Sequence, residues 1–294
     1  MTSSHQNDHQ QNHDCICAWS DLLGFGSSLR AGGWDDIESV RSTLERVVRL
    51  HHLAATSFGD FETMFMINDG IARNLDFRPD RGFFRIIKWL SALWESHDRV
   101  NQVEQKSALP GIRTVLTFGK RTTYSDGDWK ASELILANRP NLTSEDLSEM
   151  YQDKFLSKTI LYVPIEFQMN LAFAKAYFLE SLGSRYGLSG SRFYIDNTLV
   201  DFLLTTLNGG SFQFHSLDGT AEKSVRIENI QGDSYRAIQF WIPDLEGVYN
   251  HAAFIALDPD PIENEYSTLW AVRRIVYPVF PDYKDIPDSK LYGC

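Results

Sequence analysis

Between Cys15 and Gly119 the apolar residues change period repeatedly, and that alternation constrains the fold more than any other feature. A continuous apolar run at 15–19 stops at Ser20-Asp21 and passes into Leu22-Leu23-Gly24-Phe25-Gly26, a buried strand followed by a glycine-punctuated turn. Over 35–55, Ile37, Val40, Leu44, Val47, Val48 and Leu53 recur at a helical period, and Asp35 and Asp36 suit a first turn. Residues 61–67 read as a second strand, Asn68-Asp69-Gly70 as a tight turn, and 71–77 as the returning third strand. A second amphipathic helix spans 81–102, and Pro110-Gly111 precedes a fourth strand at 112–118. Strand, helix, hairpin, helix, strand predicts an α+β fold of the ferredoxin-like or palm type, an antiparallel-containing sheet with helices packed on one face.

The remainder is less regular. Residues 1–13 are polar and His/Gln/Asn-rich, which predicts a disordered tail; His5, His9 and His13 have helical spacing but no apolar anchor. Residues 120–160 read as a polar loop or insertion, and a third helix is expected over 166–182 before a strand at 192–195. Beyond 200 the pattern is short β-like runs. The expected organisation is a domain over 14–200 and a β-rich C-terminal extension over 201–294 packed on the same core.

The chain has 294 residues with a net charge of −11, which argues against bulk nucleic-acid or anionic-membrane binding. No apolar run is long enough for a membrane span, the first residues lack a secretory apolar core, and three cysteines make no disulfide framework. These features predict a cytoplasmic protein.

Two acids stand out by position. Asp21 ends the first strand and Asp69 sits at the hairpin tip, so the predicted topology lets them converge at one sheet edge. Adjacent carboxylates repel, and a divalent cation reverses that penalty; hard oxygen ligands suit Mg²⁺ or Mn²⁺. The plainer reading is that Asp21 is a turn acid and Asp69 an ordinary hairpin residue.

The segment Ala18-Trp-Ser-Asp21-Leu-Leu-Gly-Phe25 resembles the opening F-x-D-I-L-G-F motif of class III nucleotidyl cyclase homology domains. Met66-Ile-Asn-Asp69-Gly-Ile71 is similar to the family's second metal motif, Arg113-Thr-Val-Leu-Thr-Phe-Gly119 to its R-G-G-I strand, and Ala174-Lys-Ala-Tyr-Phe-Leu-Glu180 to its A-Y-x-L-E helix. All four occur in family order, and the last form is nearest that of pyrimidine cyclases of bacterial antiphage (Pycsar) systems. The resemblance implies a homodimer with shared active sites, in which Asp21 and Asp69 hold two Mg²⁺ or Mn²⁺ ions while UTP or CTP becomes a 3′,5′-cyclic mononucleotide and pyrophosphate. It places Leu22, Leu23, Gly24 and Phe25 at the substrate and Arg113 at base or phosphate. Arg73, Lys120 and Lys175 are further candidates for offsetting triphosphate charge.

The departures are specific. Thr114 and Val115 replace the two glycines of the R-G-G-I motif, Asn68 and Gly70 its flanking serines at the second metal motif, and Ala174 and Phe178 the Asn/Arg pair of purine-specific members. They leave open a degenerate cyclase-like domain that binds a nucleotide or partner without turnover. A dinucleotide cyclase would share the two-carboxylate logic, but the hairpin lacks a Gly-Gly-Asp/Glu-Glu-Phe string.

Overall fold

The computed structural model describes residues 10–34, 36–56, 62–77, 84–124, 165–209, 214–215, 222–223, 226–243 and 249–277. The expected 120–160 insertion therefore lies, apart from its first residues, outside the described part of the chain.

Strand β1 (Gln10–Leu22) is followed by helices α1 (Phe25–Gly32) and α2 (Ile37–Ala55), then by β2 (Thr63–Ile67) and β3 (Gly70–Asp76). Helix α3 (Phe84–Lys106) leads into β4 (Ile112–Tyr124). These four strands lie in the order β2-β3-β1-β4, each pair antiparallel, which is the ferredoxin-like arrangement of a β-α-β-β-α-β unit. The expected tail over 1–13 gives up its last four residues to β1, because β4 runs on to Tyr124 and pairs with them back to Gln10.

After β4 come a short 3₁₀ turn (Ile165–Phe167), α4 (Leu171–Leu182), β5 (Phe193–Asp196) and α5 (Asn197–Gly209). Strand β5 adds parallel to β4, and β9 (Thr268–Val276), β8 (Tyr249–Leu257), β7 (Tyr235–Pro243) and β6 (Arg226–Gly232) continue the same sheet.

Alternate residues of β1 and β4 build the sheet's two faces. Ile16, Ala18 and Leu116 join Ile87 and Leu90 of α3 and Leu199 and Leu203 of α5, while Leu22 and Ile112 join Val47 and Leu50 of α2. Cys15, Cys17 and Trp19 point the other way, where α4 lies on them through Ala172, Phe173 and Ala176. Helix packing on one face thus holds for α2, α3 and α5, whereas α4 covers the opposite face. That helix is apolar nearly all round and is capped by Asn170, whose side chain accepts from Phe173 N.

Two glycines are required by close approach. A Cβ at Gly70 would sit 2.2 Å from the Trp19 ring. At Gly111, φ is +85° and a Cβ would meet Asn101 Oδ1 at 2.1 Å, the atom that accepts from Ile112 N where β4 begins.

Candidate functional site

Asp21 stands opposite Gly70 on β3 and Arg113 on β4, on the sheet face that α4 covers. The two residues between β2 and β3 are Asn68, at φ 48°, and Asp69. Leu22 N donates to Asp69 O at 3.0 Å, which ties the hairpin tip to the end of β1 beside Asp21. Arg113 projects on the same face and is ion-paired with Glu180 of α4, Nη1 to Oε1 at 3.1 Å, each side chain only 9% exposed. The guanidinium also donates to Glu180 O and Gly190 O, placing a cation at the carbonyl end of α4.

Three carboxylates therefore share this edge with one arginine. Burial, then the charges of Glu180 and Asp69, push Asp21 up to about 8 against a downward pull from Arg113. Burial likewise raises Asp69. It raises Glu180 too, with Arg113 opposing and Asp69 adding to the rise. Excess negative charge held away from water is the condition a divalent cation relieves, and the donors are hard oxygens, so the residues fit Mg²⁺ or Mn²⁺ chemically. Among the described residues, however, no three His, Cys, Asp or Glu side chains are gathered closely enough to hold an ion as they stand.

Glu180 was not among the site residues expected from sequence. Its signal was Ala172, Ala176 and Leu179, which mark the buried face of α4 and leave Glu180 as the one acid on it. Other expectations need correction. Arg73 pairs in register with Ala18, so it emerges on the α2/α3 side, buried, facing Glu62 at 3.7 Å and donating to Ala54 O at 2.9 Å. Lys120 lies at the far end of β1, where its Nζ reaches Asp14 at 2.7 Å, roughly 23 Å of strand from Asp21. Lys175 bonds Asp196 at 2.7 Å. Leu22 is buried and Phe25 packs beside it in the α2 core, so neither side chain faces the edge. Leu23 N donates to Gly111 O at 2.8 Å. Gly24, at φ 76°, precedes the first turn of α1.

Behind the site runs a buried polar network. Ser20 Oγ and Thr114 Oγ1 are 2.8 Å apart, His97 Nδ1 is 2.9 Å from Thr114 Oγ1, and Asn101 Nδ2 is 2.9 Å from His97 Nε2. Burial lowers His97 to about 3, so it is neutral there. The network fastens β1 to β4 one residue away from Asp21 and Arg113.

The fold and this cluster define an α+β protein with a ferredoxin-like core and an acidic sheet edge. No family model and no curated protein matches the chain. Among solved structures it is similar to the guanylyl cyclase Cya2, at 14% identity over 92% of this chain and 96% of that one, with a TM-score of 0.40. The guanylyl cyclase domain of the RhoGC fusion protein from the aquatic fungus Blastocladiella emersonii aligns at 9% identity over 92% and 99%, also at 0.40. A class III adenylyl cyclase-like ATP-binding protein from Pseudomonas aeruginosa aligns at 11% over 39% and 26%, at 0.30. No helix among the described residues is long and apolar enough to cross a membrane.

Proposed function

We propose that this chain is a cytoplasmic, metal-dependent nucleotidyl cyclase that converts UTP or CTP to a 3′,5′-cyclic mononucleotide and pyrophosphate. The observation that carries the reading is the meeting of Asp21, Asp69 and Arg113 at one sheet edge, where burial and neighbouring acids hold Asp21 far above its ordinary pKa. Asp21 and Asp69 would hold Mg²⁺ or Mn²⁺, which supplies charge neutralisation at the triphosphate and acidifies the ribose hydroxyl. The bond formed joins the ribose 3′-oxygen to the α-phosphorus; the bond broken is from that phosphorus to the oxygen bridging to the β-phosphate. With Leu23 N taken up by Gly111 O and the Leu22 and Phe25 side chains in the α2 core, the backbone at Gly24 and the first turn of α1 would be what this segment offers a phosphate. Arg113 would leave Glu180 for an incoming phosphate or base.

The pyrimidine preference is supported by Ala174 and Phe178, neither of which can hydrogen-bond through its side chain. The homodimer is supported by the outer face of α4, where Leu171, Tyr177 and Phe178 are exposed on a helix too apolar for water. A signalling role in antiphage defence follows from the family resemblance alone. A second reading, nucleotide binding without turnover, is favoured by one observation: the Arg113 guanidinium is engaged by Glu180.

The deciding experiment incubates the chain with ATP, GTP, CTP and UTP separately in Mn²⁺ and identifies products by mass, with Asp21→Ala and Asp69→Ala alongside. A cyclic mononucleotide from UTP or CTP, absent in both variants, is the expected outcome. Folded protein that binds a triphosphate and leaves it unchanged assigns the second reading.

A further inference from the structure

Helix α2 is apolar on two sides. Thr43, Val47, Leu50 and Ala54 face inward and are buried. On the outer side Ile37, Leu44 and Val48 are 75%, 53% and 66% exposed, and Trp34, just before the helix, is 66% exposed. Such a stripe on a helix already anchored by its other face marks a contact surface.

The pattern along the stripe says what covers it. Going outward from a point near residue 43, Val40 mirrors Leu44 and Ile37 mirrors Val48, while Arg41 mirrors Glu45 and Glu38 mirrors Arg49. At about 100° per residue the four charged residues all fall on one flank of the apolar stripe. A two-fold axis between antiparallel helices keeps that flank on the same side of both, so it meets its own copy with opposite charges level. Parallel packing would set equal residues level and put the two flanks on opposite sides of the contact, so the charged residues would not meet. An unrelated partner gives no reason for the mirror.

We propose that the outer face of α2 is an isologous interface with a second copy of this chain, the two helices antiparallel, Ile37, Val40, Leu44 and Val48 interdigitating, and Arg41 and Glu38 of each copy facing Glu45 and Arg49 of the other. Arg41 now lies 3.6 Å from Glu38 of its own helix, an exposed pair that rearranges at little cost. The face lies on the side of the sheet away from Asp21, so the interface is independent of the proposed activity and of the exposed face of α4. A contact of one helix pair buries on the order of 1,000 Å² in total, at the lower edge for specific association.

Sedimentation velocity on the full chain at about 1–100 μM tests this. Leu44→Glu with Val48→Glu should halve the mass of the largest species, while Asp21→Ala leaves it unchanged. Arg41→Glu alone and Glu45→Arg alone place like charges across the axis, and each should weaken self-association about tenfold or more. Both positions are on the surface, so folding is retained. An equimolar mixture of these two single variants should regain the wild-type mass, because one presents only arginines and the other only glutamates at positions 41 and 45. Only pairing between copies produces that rescue. Unchanged mass in every α2 variant, or a mixture that stays dissociated, overturns the proposal, and another part of the chain or a different partner is then what covers the stripe.

Discussion

Strands β1 and β4 present two faces built from alternating residues, and the faces have opposite chemistry. Toward α2, α3 and α5 they send Ile16, Ala18, Leu116 and Ile112 into a dry core whose polar groups, Ser20, Thr114 and His97, satisfy one another. Toward α4 they send Trp19, Asp21 and Arg113, and the acids there outnumber the arginine. On the first face Ser20, Thr114 and His97 close into a neutral network; on the second, burial and neighbouring acids suppress ionisation of Asp21, which an incoming cation would favour. The first face completes its own hydrogen bonds, and the second holds an acid whose ionisation its surroundings oppose.

The largest test of this contrast is catalytic. Asp21→Ala should lower cyclic nucleotide formation on the order of 10³-fold, measured by product mass, while the urea midpoint stays at or above that of the parent. Gly70→Ala should lower stability by about 3 kcal/mol in urea unfolding, because its Cβ displaces the Trp19 ring.

A third test uses pH. The folded chain keeps Asp21 protonated up to about pH 8, whereas the unfolded carboxyl ionises near about 4. The folded state is therefore favoured in acid and loses stability as pH rises between those values. Asp21→Asn should flatten this slope, adding on the order of 2 kcal/mol at pH 8. Millimolar Mn²⁺ should raise the melting temperature of the parent at pH 8 and leave that of the Asn variant unmoved.

The fourth test is on the other face, where the sign is opposite. His97 is held neutral down to about 3, so the stability it contributes is present above about 6.5 and is lost as pH falls toward 3. His97→Gln should make the acid limb shallower by about 1 kcal/mol, read from melting temperatures at pH 4 and 7. Smallest of all, Glu180→Gln removes the first charged neighbour of Asp21 and frees Arg113 toward it, which should move the alkaline limb to lower pH.

The ferredoxin-like core was legible because its period changes coincide with turn residues: Asn68-Asp69 between β2 and β3, and Pro110-Gly111 before β4. What escaped depended on partners distant in sequence. Gln10–His13 carry no strand pattern, and only pairing with the end of β4 makes them one. Helix α5 was missed because Leu199, Val200, Phe202 and Leu203 form a short apolar run that fits a buried strand equally well. The side on which Arg73 emerges depends on the register of β1 with β3, which the sequence does not state, and a shift by one residue reverses every side chain. Glu180 lies on the buried face of α4, but its approach to Arg113 spans 67 residues and depends on how the helix docks on the sheet.

The placement of α4 also gives the folding of this chain a schedule. The β1–β4 unit is complete once Tyr124 has been synthesised, yet the helix that shields Cys15, Cys17 and Trp19 ends only at Leu182. At about 5–20 residues per second, a ribosome needs roughly 3–12 s to add that stretch. Until α4 is added, the face formed by Cys15, Cys17 and Trp19 lacks the helix that packs on it in the folded chain. The burial of that face is therefore tied to the order of synthesis as well as to packing.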